Sequence, residues 1–190
     1  MPEERDYLPS NSDAELVVRI RQGDGSAFRE LVDRYGRYLF GLAASLVGNP
    51  ADAEDVLQET YSGAFRGIRS FKGRSSIKTW LTQILVRRAA GHHRARARRK
   101  VIPMELELST DHRQSVPSPV RITDVRIDVE AAIRSLSAAH REVIVFRELK
   151  GLSYDEIAEV LSVPRGTVES RLFRARRELR TLLKEYLSHG

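Results

Sequence analysis

The sequence predicts an all-α protein: two helical domains joined by a flexible linker, the C-terminal one a four-helix helix-turn-helix domain. Three observations predict it. Apolar residues recur at helical steps of three and four through 12–100 and again through 123–187, with capping signals where the segments begin. The first block shows no strand-like alternation of apolar and polar residues. Between the blocks, residues 101–122 hold three of the seven prolines, several Ser and Thr, and no sustained periodicity. Such a stretch is too long for a compact loop and reads as an extended interdomain linker.

The elements follow in order. Ser12 and Glu15 have capping-box spacing and open a short helix with Leu16, Val17 and Ile20 apolar. Gly23-Asp24-Gly25 breaks it. A long helix then runs from about Ser26 to Val47, carrying Phe28, Leu31, Val32, Tyr35, Leu39, Leu42 and Leu46. Asn49-Pro50 places a capping residue before a proline at the first helical position. The next helix is expected to bury Ala53, Leu57, Tyr61, Ala64 and Ile68, with Asp52, Asp55, Glu59, Ser62 and Arg66 opposite. After the basic loop RSFKGRSS, a helix starts near Ser75 or Ser76 with Ile77, Trp80, Leu81, Ile84 and Leu85 as its core stripe. From Arg87 onward, Arg88, His92, His93, Arg94, Arg96, Arg98, Arg99 and Lys100 surround that helix, and such an end is expected to project along phosphates.

In the second block Thr123 caps a helix carrying Val125, Val129, Ile133 and Leu136. Ser137 caps the next, with Val143, Ile144, Phe146 and Leu149 apolar. Ser153 and Glu156 form another capping box, and Ile157, Ala158 and Leu161 give that short helix its apolar face. Ser162-Val163-Pro164 interrupts it, because proline disfavours helix in the residue before it and cannot donate to the ladder. A second helix follows from about Arg165, with Val168, Leu172, Ala175, Leu179, Leu182 and Tyr186 in one buried stripe and Ser170, Phe173, Arg174 and Arg177 opposite. Two short helices across a tight turn, the second with a basic outward face, read as a DNA-binding helix-turn-helix. Phe173 is an aromatic ring on the water-facing side, which suits a thymine methyl or a sugar in a major groove.

Charge narrows the partners. The 190 residues carry a formal net charge of +6 and a pI of about 9.9, concentrated at 94–100 and 165–180, so an acidic partner is expected. There is no cysteine, which excludes disulfides and cysteine zinc sites and fits a reducing compartment. The start MPEERDYLPSNSD is no signal peptide, and no apolar run approaches membrane-spanning length, so a cytoplasmic protein without membrane insertion is expected. The five histidines, His92, His93, His112, His140 and His189, lack metal-ligand spacing, and no phosphate-binding glycine loop or nucleophile motif is present. Neither an enzyme, a metal nor a cofactor is expected.

The run GLSYDEIAEVLSVPRGTVESRLFRARRELR at 151–180 resembles the promoter-recognising domain of bacterial RNA polymerase sigma factors of the extracytoplasmic-function (ECF) group. The stretch DAEDVLQETYSGAFRGI is similar to the helix of that family that docks on the clamp coiled coil of the polymerase largest subunit. Together the blocks cover nearly the whole chain. The resemblance implies that 12–100 binds core polymerase and recognises and melts the minus-ten element, and that 123–187 reads the minus-thirty-five element and seats on the flap of the second subunit.

The resemblance also implies site residues. Asp55, Gln58 and Glu59, with Leu57 or nearby apolar atoms closing the contact, would meet basic residues of the polymerase. Ser70, Phe71, Lys72, Gly73, Arg74 and Ser75 match the loop that captures flipped minus-ten bases, and physical sense agrees: a loop can wrap a base, Phe71 can stack, Lys72 and Arg74 can hold the backbone. Arg74-Ser75-Ser76 departs from the family's common pattern, so no base preference carries over. For minus-thirty-five DNA the candidates are Arg165, Thr167, Glu169, Ser170, Arg171, Phe173 and Arg174, with Arg176 and Arg177 positioning phosphates. Glu169 is a departure: it can accept from a cytosine amino group, or orient Arg165 or Arg171. The family is commonly controlled by an anti-sigma protein, and the chain is expected to be a monomer outside these complexes. Two alternatives remain at this point: a response-regulator-type activator with a C-terminal helix-turn-helix, and a basic adaptor without sequence preference.

Overall fold

The computed structural model describes residues 12–101 and 129–188, and every regular element among them is helical. The N-terminal bundle comprises α1 (Asp13–Arg21), α2 (Gly25–Val47), α3 (Pro50–Gly67), a 3-10 turn (Ile68–Ser70) and α4 (Ile77–Val101). The starts obey the sequence. Ser12 and Glu15 form the complete capping box, Asp24 accepts from the amides of Ser26 and Ala27, and Asn49 accepts from Asp52 with Pro50 behind it. Gly48, at φ +89°, ends α2 in the left-handed region that favours glycine.

The buried face of α3 is rotated from the one expected. Ala53, Val56, Thr60, Ala64 and Ile68 are buried, whereas Leu57 and Tyr61 are half-buried at its edge. Thr60 tolerates burial because its hydroxyl donates to the Val56 carbonyl at 2.7 Å. The rotation brings Gly63 and Gly67 under α4. A Cβ there would stand 3.3 Å from Ile84 Cγ2 and 3.3 Å from Trp80 Cζ2, so glycine sets the spacing of the two helices.

The C-terminal bundle contains a helical segment α5 (129–135), α6 (Ala138–Ile144), a π-helical turn (Val145–Leu149), α7 (Tyr154–Leu161) and α8 (Arg165–Ser188). Ser137 caps α6, and Ser153 and Glu156 cap α7. The π turn is new. Lys150 N–H reaches back five residues to the Val145 carbonyl at 3.0 Å, which advances the phase of the helix. Val145 and Phe146 are therefore fully buried, while Leu149 is 52% exposed. Ser162 makes the turn of the motif in the left-handed region at φ 54°, and Val168, Leu172 and Ala175 hold α8 to the core.

The bundles touch. α4 lies against α2, α3 and α7, and Thr82, Val86 and Ala89 are buried beside Ile77, Leu81 and Leu85. Gln83 donates to the Glu159 carbonyl at 3.1 Å. Arg141 of α6 donates to the Leu46 carbonyl of α2 at 2.7 Å, and His93 Nε2 lies 3.1 Å from the same oxygen. So the basic half of α4 is not solvated all round, as its sequence suggests: Ala89 and His93 face α2 and α6. α4 reaches Val101, the first residue of the expected linker; the remainder of 101–122, and Thr123 and Val125 of the expected first helix of the second bundle, lie outside the described residues, as do His112 and His189. Tyr186 and the side chains of Arg96, Arg98, Arg99 and Lys100 also lie outside the described side chains.

Candidate nucleic-acid and polymerase interface

Helix α8 has three flanks with different fates. Toward α7, Arg165 Nη1 meets Asp155 at 3.0 Å and Arg165 Nε meets Glu169 at 3.0 Å. Glu169 therefore orients Arg165, one of the options its sequence position leaves open, and these carboxylates push the Arg165 guanidinium further up. On the same flank Arg176 donates through both Nε and Nη2 to Glu148 Oε1, at 3.1 and 2.7 Å. Toward α6, Arg171 is half-buried opposite Glu142. Burial pushes the Glu142 carboxyl up, and the Arg171 and Arg141 guanidiniums oppose it. Glu178 on that side pairs with His140 Nδ1 at 2.6 Å.

The outward face carries Ser170, Phe173, Arg174 and Arg177. Phe173 is 70% exposed, and Arg174 and Arg177 are exposed without an ion pair among the described residues. Thr167 is half-buried and its carbonyl accepts from the Ser170 hydroxyl at 3.0 Å. A shallow groove of about 390 Å³ runs from Tyr154 past Phe173 to Arg180. Geometry thus divides the nine sequence candidates: Phe173, Arg174 and Arg177 stand uncommitted on the open face, Ser170 is exposed beside them with its hydroxyl bonded to Thr167, Thr167 is half-buried, and Arg165, Glu169, Arg171 and Arg176 are engaged by neighbours.

On the other bundle, Asp55, Gln58 and Glu59 are exposed on α3. They line a trough of about 1180 Å³ whose far wall is the basic side of α4, including Arg88 and His92. Glu59 is 3.8 Å from Arg88, and Asp52 is 3.4 Å from His92. Leu57, two residues from Asp55, points about 200° away around the helix and packs at the core edge. Phe65 was not anticipated. It is 61% exposed, two turns beyond Gln58, and its ring meets Phe28 edge-on at 5.2 Å. Its period belongs to neither stripe, which is why the pattern concealed it.

The loop at 70–75 is held from below. Phe71 packs on Trp80 with ring centroids 5.0 Å apart and planes tilted by 42°, leaving Phe71 half-exposed. Lys72, Gly73 and Arg74 are exposed, Ser75 is half-buried, and Ser70 turns its hydroxyl to the Gly67 carbonyl at 2.8 Å. Ser76 accepts from the Thr79 amide at 3.0 Å and so starts α4.

The comparisons with known proteins cover both bundles. Residues 31–99 match the family model Sigma-70 region 2, and residues 126–179 match Sigma-70, region 4. RNA polymerase sigma-H factor of Pseudomonas aeruginosa is 35% identical over 194 residues, covering 94% of this chain and 99% of that protein. The chain belongs to the sigma-70 family, in its ECF group. A further relative of this sigma factor is the ECF RNA polymerase sigma-E factor of Haemophilus influenzae, 39% identical over 176 residues, with 87% of this chain and 92% of that one covered. The region 2 match decides against the activator reading of the first block. Among solved structures, CnrH in complex with the cytosolic domain of CnrY is similar with a TM-score of 0.67 and 26% identity, covering 92% of this chain and 99% of that one. RpoE in complex with the anti-sigma factor NepR from Bartonella quintana is similar with a TM-score of 0.62 and 29% identity, covering 83% and 96%. Among the described residues of this sigma factor no helix is long and apolar enough to cross a membrane, and no cluster of metal-ligating side chains occurs.

Proposed function

We propose that this ECF sigma factor binds core RNA polymerase through the α3 acidic face, captures melted minus-ten bases with the 70–75 loop, and reads minus-thirty-five duplex with the outward face of α8. The carrying observation is the α8 face itself, where Phe173, Arg174 and Arg177 are exposed and uncommitted while the flanking arginines are tied to carboxylates. Ser170 and Arg174 are placed for base edges, Phe173 for a thymine methyl, and Arg177 for phosphate. Arg165 and Arg176 act as supports held by Glu169 and Glu148, and Arg171 braces α6. In region 2, 12–100 forms the polymerase and minus-ten unit, with Asp55, Gln58 and Glu59 facing basic residues of the clamp coiled coil. The second domain, 123–187, seats on the flap. The protein works where the polymerase is, in the cytoplasm, and the relative solved with an anti-sigma factor supports such a protein as its controller.

Footprinting tests this directly. With core enzyme present, protection should cover two unlike elements on an asymmetric site, and neither should be protected by this protein alone at the same concentration. Protection of a palindrome by the protein without core would refute the reading.

A further inference from the structure

We infer that α1 forms the second wall of a single-base pocket whose first wall is the 70–75 loop, with Val18 as its apolar face and Arg21 as the residue that positions the loop. This rests on the minus-ten reading of that loop and goes beyond it, because α1 lies outside the residues matched to region 2. A groove of about 700 Å³ opens between α1 and the loop, lined by Val17, Val18 and Arg21 on one side and Phe71, Lys72 and Ser75 on the other. That size is within the range of small-ligand sites, suited to one nucleotide and too small for a duplex.

The α1 wall is rigid. Asp13 is bound by Arg34 at 2.7 Å and by the Tyr35 hydroxyl at 2.6 Å, and Arg19 is bound by Asp24 at 2.7 Å. Leu16, Val17 and Ile20 are buried against α2, which leaves Val18 as an apolar side chain 50% open to the groove side. Arg21 reaches across to the loop root: Nε donates to the Ile68 carbonyl at 3.3 Å, and Nη2 donates to the Phe71 carbonyl. These two bonds fix the end of the 3-10 turn and hence the height of Phe71 and Lys72 above α1.

The occupant is a nucleobase from a single strand. Lys72 on the groove wall and the exposed Arg74 beside it in the loop supply cations for the backbone, the lining is largely apolar, and the groove is continuous with the loop already assigned to that strand. Asp13 cannot serve as a reader because both its oxygens are engaged. Contact with the base is therefore by packing against Val18, with the exposed backbone and Ser75 available to its polar edge.

The test uses holoenzyme on a forked promoter whose non-template minus-ten strand carries a fluorescent adenine analogue at each position in turn. Wild type should brighten at one position as that base leaves the stack. Val18→Asp, on an exposed site, should abolish that signal and weaken forked-promoter binding about tenfold, the scale of one lost base contact, with co-purification with core unchanged. Arg21→Gln should spread the signal over neighbouring positions while leaving duplex minus-thirty-five binding intact. If wild type brightens at one position and both variants match it, α1 has no part in the pocket. If wild type brightens nowhere, the minus-ten reading of the loop falls and this inference with it. If Val18→Asp binds core poorly but keeps the position-specific signal, the groove is a protein contact and the inference is overturned.

Discussion

At the scale of single residues, the open face of α8 separates two kinds of contact. Under the proposed function Arg174, exposed on this face, reads a base edge, and a bidentate arginine–guanine contact discriminates by roughly 1–3 kcal/mol. Arg174→Ala should erase preference at one minus-thirty-five position, read by binding to a set of single-base promoter variants. Arg177→Ala should weaken every sequence alike and lower the magnitude of the salt slope by about 1. A stability prediction belongs here too. The Ser26 hydroxyl first, then Arg19, hold the Asp24 carboxyl well below the usual carboxylate range. Its folded value is depressed, so its stabilisation is present at neutral pH and is lost as pH falls through the carboxylate range and below. Asp24→Ala removes the N-cap of α2. Its destabilisation, measured by denaturant titration, should be largest near neutral pH and shrink in acid.

At the scale of elements, the starts and turns were legible and the phases were not. Ser12-Glu15, Asn49-Pro50 and Ser153-Glu156 state their helices because capping is a local hydrogen-bond pattern. The exposure of Leu149 was hidden because the π turn shifts the period by a residue, and nothing within 145–149 announces it. The burial of Thr82, Val86 and Ala89 was not readable, since α4 packs on α2 and also on α7, some 70 residues further on. The site shows the same limit. Phe173, Arg174 and Arg177 were readable from one helix's own periodicity, whereas the engagement of Arg176 by Glu148, and of the 68–71 carbonyls by Arg21, joins residues far apart in sequence. For α3, the acidic face makes a clean experiment. Glu59 loses only a distant, exposed pair with Arg88, and such pairs are worth little. Asp55→Arg with Glu59→Arg should therefore keep thermal stability within about 1 kcal/mol yet abolish co-purification with core enzyme. Retained co-purification would remove α3 from the polymerase contact.

At the scale of the whole molecule, the two bundles are in contact through Gln83, Arg141 and His93. Elements centred ten and thirty-five positions upstream of a start lie about 25 base pairs apart, roughly 85 Å of duplex at about 3.4 Å per base pair. A compact chain of this length has a radius of gyration of about 16 Å. The arrangement described here cannot reach both elements at once, so the proposed function requires the α4–α7 contact to open on the polymerase. Fluorophores on α4 and α7 should show high energy transfer in the free protein and a large loss in holoenzyme. Unchanged transfer in a transcribing complex would contradict the opening. Arg141→Ala should lower the free-state transfer by removing the link to α2. The most direct measurement of the whole account is run-off transcription by core polymerase plus this protein on a library of randomised promoters, with the transcript starts sequenced. Discrete starts are expected, each preceded by two separated motifs, with the upstream motif altered by Arg174→Ala and the downstream motif retained. Starts no more selective than those of core enzyme alone would contradict it.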